Sequence, residues 1–229
     1  MRLPISFAYP MNELSPADRR LIIGISGASG VVYGVRLLRL LRNAGVETHL
    51  VLTKTAEVTF AHETSMKIAD VRALADFCHR VDDLAAPIAS GSFKTSGMIV
   101  APCSIRSMSE IASGVTTTLL TRSADVVLKE RRKLVLMVRE TPLHAGHLRS
   151  MTALAEMGAI IAPPVPAFYS RPDSIADMVD HNVGRVLDLF DIDVGVVTRW
   201  GETAGRSPER RVRSGEDQDS APATGRETP

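Results

Sequence analysis

The feature that most constrains this chain is an alternation. Runs of Val, Ile and Leu, each about one strand long, are separated by segments with apolar residues at helical spacing. The runs are LIIGI (21–25), VETHLVLT (46–53), MIVAP (98–102), KLVLMVRE (133–140) and AIIAP (159–163). Helical patterns occupy VVYGVRLLRLLRNAG (31–45), KTAEVTFAHE (54–63), ADVRALADFCHR (69–80), two stretches within 103–132, HAGHLRSMTALAEMG (144–158) and DSIADMVDHNVGRVLDLF (173–190). DDLAAPIASGSFKTSG (82–97) reads as a loop or broken element. A strand that is apolar at nearly every position is buried on both faces, which implies a parallel sheet covered by helices on each side. Right-handed crossovers then predict a three-layer α/β/α domain.

In such sheets, ligands bind beyond the carboxyl ends of the strands. The loops there are SGAS (26–29), TKT (53–55), PCSIRS (102–107), RETPLH (139–144) and PPVPAFYSRP (163–172). The first is a glycine–serine turn between a strand and a helix. Its small residues let backbone N–H groups approach a ligand, and the helix beyond it offers a positive end. Its glycines, Gly24, Gly27 and Gly30, are spaced G-x-x-G-x-x-G, not the G-x-G-x-x-G of dinucleotide sites. A dinucleotide site also needs an acid closing the second strand, whereas this one ends in Thr53. That argues against NAD and leaves a mononucleotide open, beside the plainer reading of a tight packing turn.

Composition narrows the field. The 229 residues suit one domain with a real core. A net charge of +1 gives no strong pull toward nucleic acid or membrane, and 4% aromatic content disfavours single-strand stacking. The two cysteines, Cys78 and Cys103, form neither a disulfide framework nor a zinc signature, so a reducing cytoplasm is expected. No apolar run approaches the roughly 20 residues of a membrane span. Residues 1–19 read as a flexible leader, 20–202 as the domain, and the Gly-, Pro- and Ser-rich 203–229 as a disordered tail.

Taken singly, the candidate residues have ordinary readings. Ser104 can cap a helix. Cys103 has no histidine nearby in sequence to activate it. The cations of KERRK complement a helix C-terminus. Arg139 and Glu140 stand out because they end a core strand at the ligand edge, where an arginine grips phosphate and a carboxylate exchanges protons. His144 and His147 have a metal-like spacing but lack a third ligand, so no metal is expected. Tyr169 can pack against the sheet edge, Arg185 can pair with Asp188 or Asp191, and Trp200 can anchor packing or an interface.

Taken together, GISGASG, HLVLTK, ASGSF, MIVAPCSI, LTRSADVVLKERR, LVLMVRETPLH, GAIIAPPVPAFYSRP and RVLD, in that order, resemble the UbiX flavin prenyltransferase family across about 20–202. The resemblance implies a flavodoxin-like, Rossmann-like subunit that assembles as a dodecamer. It implies that reduced FMN accepts the dimethylallyl group of dimethylallyl monophosphate at N5 and C6 without a metal. The prenylated FMN is then used by a UbiD-type decarboxylase. It further implies that Gly27, Ala28, Ser29, Thr53, Ser104, Ile105, Arg106, Ser107 and Arg139 hold FMN. Lys129, Glu140, Tyr169 and Arg185 surround the donor phosphate, and Ser90 and Trp200 border the prenyl group. Glu63 matches a family glutamate, although ETS replaces the family's ETD. The released phosphate is the expected base for the C6 proton, with Ser29 and Glu140 as a relay. Two other readings stand beside this one: an FMN-dependent decarboxylase of the cysteine-decarboxylating kind, and a non-catalytic flavin carrier.

Overall fold

The computed structural model describes residues 20–201; the expected leader, tail and last domain residue lie outside them. Six parallel strands form one sheet in the order β3-β2-β1-β4-β5-β6. They are β1 (Arg20–Ile25), β2 (Glu47–Leu52), β3 (Phe77–His79), β4 (Gly97–Cys103), β5 (Lys133–Val138) and β6 (Ile160–Ile161). The helices are α1 (Val31–Asn43), α2 (Lys54–Glu63), α3 (Ile68–Arg72), α4 (Ile105–Ala112), α5 (Leu119–Lys129), α6 (Ala145–Glu156) and α7 (Ile175–Asp188).

Strand periodicity builds the three layers. Leu21, Ile23 and Ile25 face a core shared with α1, α2, α3 and α7. Ile22 faces the opposite core with α4, α5 and α6, as do Met98 and Val100 of β4. Successive side chains on a strand point to opposite faces, so a strand covered on both sides must be apolar throughout. The α1 residues Leu37, Leu38 and Leu41 are fully buried. Each such side chain contributes about 1.5–3 kcal/mol through removal from water. At Gly34, α1 lies so close to the sheet that an added Cβ would fall 2.5 Å from the Ala101 carbonyl oxygen.

One expected element is corrected. Residues 69–80 do not form a single helix: α3 ends at Arg72 and a sixth strand, β3, follows. Asp76 fixes its start by accepting hydrogen bonds from the Thr48 amide (2.8 Å) and hydroxyl (2.9 Å). β3 is a three-residue edge strand whose Phe77 and Cys78 are exposed, so it lacks the continuous apolar signature of the inner strands.

Candidate active site

The strand order reverses direction between β1 and β4, which makes the crevice beyond their carboxyl ends the topological switch point. Ser26, wholly buried, ties the two loops there together. Its hydroxyl donates to the Pro102 carbonyl (2.8 Å) and accepts from the Ser104 amide (2.7 Å). The Thr53 amide donates to the Ile25 carbonyl and the Arg139 amide to the Cys103 carbonyl, so four strand ends share one rim. Ser104 caps α4 by accepting from the Ser107 amide, and Thr53 caps α2 by accepting from the Ala56 amide. Gly27 lets the first turn nest against the second loop, since a Cβ there would fall 2.5 Å from the Thr55 side chain.

The result is a cavity of about 270 Å³ lined by Thr53, Lys54, Thr55, Ser104, Arg106 and Ser107, with Thr117 and Thr118 on its far wall. Its hydroxyls, with Lys54 and Arg106 beside Asp82 and Glu110, can hold a phosphorylated polyol. A second cavity of about 420 Å³ lies beside it and shares Lys54, Val81 and Asp82. Arg106 is exposed and pairs with Glu110 (2.8 Å) in the same cavity wall.

The positive end of α1 is already engaged, contrary to the expectation that the first turn offers it to a ligand. Glu63, at the end of α2, reaches back to accept from the Gly30 amide (2.9 Å) and the Val31 amide (3.1 Å). Burial pushes its pKa up, but the Ser29 hydroxyl, the two amides and the nearby Arg139 charge outweigh that and hold the carboxyl below its ordinary range. Ser29 is thus partnered by Glu63, whereas the Glu140 carboxylate accepts from its own neighbour, the Thr141 amide (3.0 Å). Beside the expected Ser29–Glu140 relay, the structure thus gives Ser29 a carboxylate partner in Glu63.

The residues expected around the donor phosphate are divided in the same way. Glu140 follows the end of β5, beside Arg139 of the expected FMN set, while Lys129 precedes its start. The six residues of that strand separate the two groups by about 20 Å. Lys129 pairs with Glu130 beside the loop carrying Ser90. Arg132 holds that loop by donating to the Gly91 (2.7 Å) and Phe93 (2.8 Å) carbonyls. Arg185 lies near the end of α7, and the next turn of chain meets the start of β5 through the Lys133 ammonium and the Leu189 carbonyl (2.6 Å). Arg185 pairs with Asp188 (2.6 Å), which Arg199 also engages (3.0 Å). Tyr169 meets two rings edge to face, His181 and Trp200, with centroids 5.6 and 5.2 Å away.

Cys103 is fully buried and its thiol is pushed up to about 12 by burial, which removes it as a nucleophile near neutral pH. The sequence reading did not single out Ser26, Thr55 or His181. Ser26 and Thr55 lie inside loops it marked, but His181 belongs to a helical pattern and gave no signal of its own.

A flavoprotein family profile matches residues 11–190. Flavin prenyltransferase UbiX of Escherichia coli K12 is 57% identical over 185 residues, covering 80% of this chain and 98% of that protein. A crystal structure of AnUbiX (PadA1) in complex with FMN and dimethylallyl pyrophosphate superposes with a TM-score of 0.79 at 52% identity, covering 80% of this chain and 97% of that one. The chain belongs to the UbiX flavin prenyltransferase family. A dodecameric FMN-dependent UbiX-like decarboxylase from E. coli O157:H7 superposes on this UbiX-family chain with a TM-score of 0.77 at 50% identity, covering 79% and 98% of the two chains. Among the described residues of this UbiX-family chain, no cluster of three His, Cys, Asp or Glu side chains is arranged to hold a metal ion. No helix among them is long and apolar enough to cross a membrane.

Proposed function

We propose that the protein, through a catalytic domain of residues 20–202, transfers the dimethylallyl group of dimethylallyl monophosphate to N5 and C6 of reduced FMN. The prenylated FMN it makes would supply a UbiD-type decarboxylase in the cytoplasm. The observation that carries this reading is the hydroxyl-lined switch-point cavity in a chain 52% identical to a protein crystallised with FMN and a dimethylallyl phosphate ester.

The residues present fit the acceptor. Gly27, Ala28 and Ser29 approach from the first turn; Thr53, Ser104, Ile105, Arg106 and Ser107 offer hydroxyls, amides and a cation; Arg139 closes the rim. With Glu63 at the α1 N-terminus, the flavin phosphate belongs to the cavity between the second and third loops. Reduced flavin supplies the nucleophile, so the protein needs none, in keeping with the inert Cys103. Lys129, Arg185 and the Tyr169 hydroxyl stabilise the anion that departs with the C–O bond, an interaction stronger in the transition state than in the ground state. Ser90 and Trp200 border the prenyl group. Ser29, paired with Glu63, and Glu140 would hold or pass the C6 proton, with the released phosphate as its base.

Lys129 and Glu140, both expected at the donor phosphate, stand at opposite ends of β5. We therefore propose that the functional unit is a homo-oligomer, a dodecamer, in which groups from neighbouring copies complete each site. The test of the activity is anaerobic incubation with reduced FMN and dimethylallyl monophosphate, read by mass. The expected product is a flavin heavier by one isoprene unit, with phosphate released in equal amount. Recovery of unmodified flavin alone would overturn the proposal.

A further inference from the structure

We propose that His181 is a positioning residue for prenyl transfer: its Nε2–H donates to the Tyr169 hydroxyl oxygen and turns the hydroxyl hydrogen outward, toward the departing phosphate. This rests on the role given to Tyr169 above.

His181 lies inside α7 with only 7% of its surface exposed. Its Nε2 is 3.3 Å from the Tyr169 hydroxyl, at the long end of the hydrogen-bonding range, and the two rings meet edge to face at 83°. Its other nitrogen, Nδ1, is buried and has no partner. That asymmetry selects the tautomer. A proton on Nδ1 would be a buried donor with nothing to receive it, which native structures rarely tolerate. A proton on Nε2 is received by the tyrosine oxygen and leaves at Nδ1 only an unpaired lone pair. Burial and the Arg185 charge both lower the His181 pKa, which favours the neutral ring in which this choice exists.

The consequence lies in the hydroxyl. Tyrosine has one O–H to donate and can accept at the same oxygen. When His181 occupies the accepting side, the O–H points away from α7, on a residue 39% exposed. A donor already aimed where negative charge develops costs no reorganisation during reaction. Trp200 also contacts the ring, 5.2 Å away and nearly perpendicular. His181 thus acts on the reaction through Tyr169 and need not touch the donor.

The test is a double-mutant cycle read by single-turnover prenyl transfer under anaerobic conditions, with saturating reduced FMN and dimethylallyl monophosphate. FMN affinity serves as the control for folding. His181→Phe keeps the edge-on ring contact but removes the N–H; it is expected to slow transfer about tenfold with FMN affinity unchanged. His181→Gln, whose amide nitrogen can reach the Nε2 position, is expected to restore most of the rate. In a Tyr169→Phe background, His181→Phe should cost nothing further. Full rate in His181→Phe, an equal loss in both backgrounds, or no rescue by His181→Gln would overturn the inference while leaving Tyr169 in place. Full rate in Tyr169→Phe would overturn the role of Tyr169 itself, and this inference with it.

Discussion

Glu63 shows how one side chain can redirect a site. The glycine–serine turn and the helix after it have the elements of an anion site, yet the anion found there is the protein's own carboxylate. A carboxylate on helix-terminal amides satisfies donors that the helix leaves unpaired. Glu63→Ala is expected to lower stability by about 1 kcal/mol near neutral pH, the usual cost of losing such a cap. The sign of its pH dependence follows from the lowered pKa. A carboxyl held below its unfolded value contributes its full stabilisation above that unfolded value, about 4.3. It loses that contribution as pH falls through the folded value. Urea unfolding of both proteins across acidic pH should therefore show the difference shrinking as pH drops. Parallel curves at all pH values would contradict this role.

Among the elements, the loops that follow β1 and β4 at the switch point are tied together by Ser26. Ser26→Ala would leave the half-buried Ser104 amide without its acceptor, at a cost of about 1 kcal/mol. Because residues 104–107 begin α4 and line the cavity, FMN affinity measured by fluorescence quenching should fall with it. Unchanged affinity would mean that the loop is held by other contacts. What the sequence disclosed about these elements tracks burial. β1, β2, β4 and β5 lie inside the sheet, so continuous apolar runs betray them. β3, at the edge, has only Phe77, Cys78 and His79, and the helical pattern before it runs on into the strand. The rim loops were legible because topology alone places them beyond the strand ends. The partners chosen within the rim were not, since Glu63 and Ser29 are 34 positions apart in the chain and nothing local to either residue announces that they meet.

On the scale of the whole molecule, the expected site residues fall into three groups along the chain's fold. Arg139, Glu140, Ser29 and Glu63 lie at the carboxyl rim. Lys129 and Ser90 lie beside the other end of β5. Tyr169, His181, Arg185 and Trp200 lie on the outer layer with α7. A family resemblance carries residues over by position and is silent on which copy of the chain supplies each one. The sheet bears on that point, because Lys129 and Arg139 stand at opposite ends of β5, a strand about 20 Å long. The most direct test is complementation between two defective chains, one carrying Arg139→Ala and the other Lys129→Ala, refolded separately and then together. Each alone should lose prenyl transfer, and the mixture should recover up to about a quarter of wild-type turnover, the value for random mixing at a site built from two chains. No recovery in mixed oligomers that assemble and bind FMN would contradict the account.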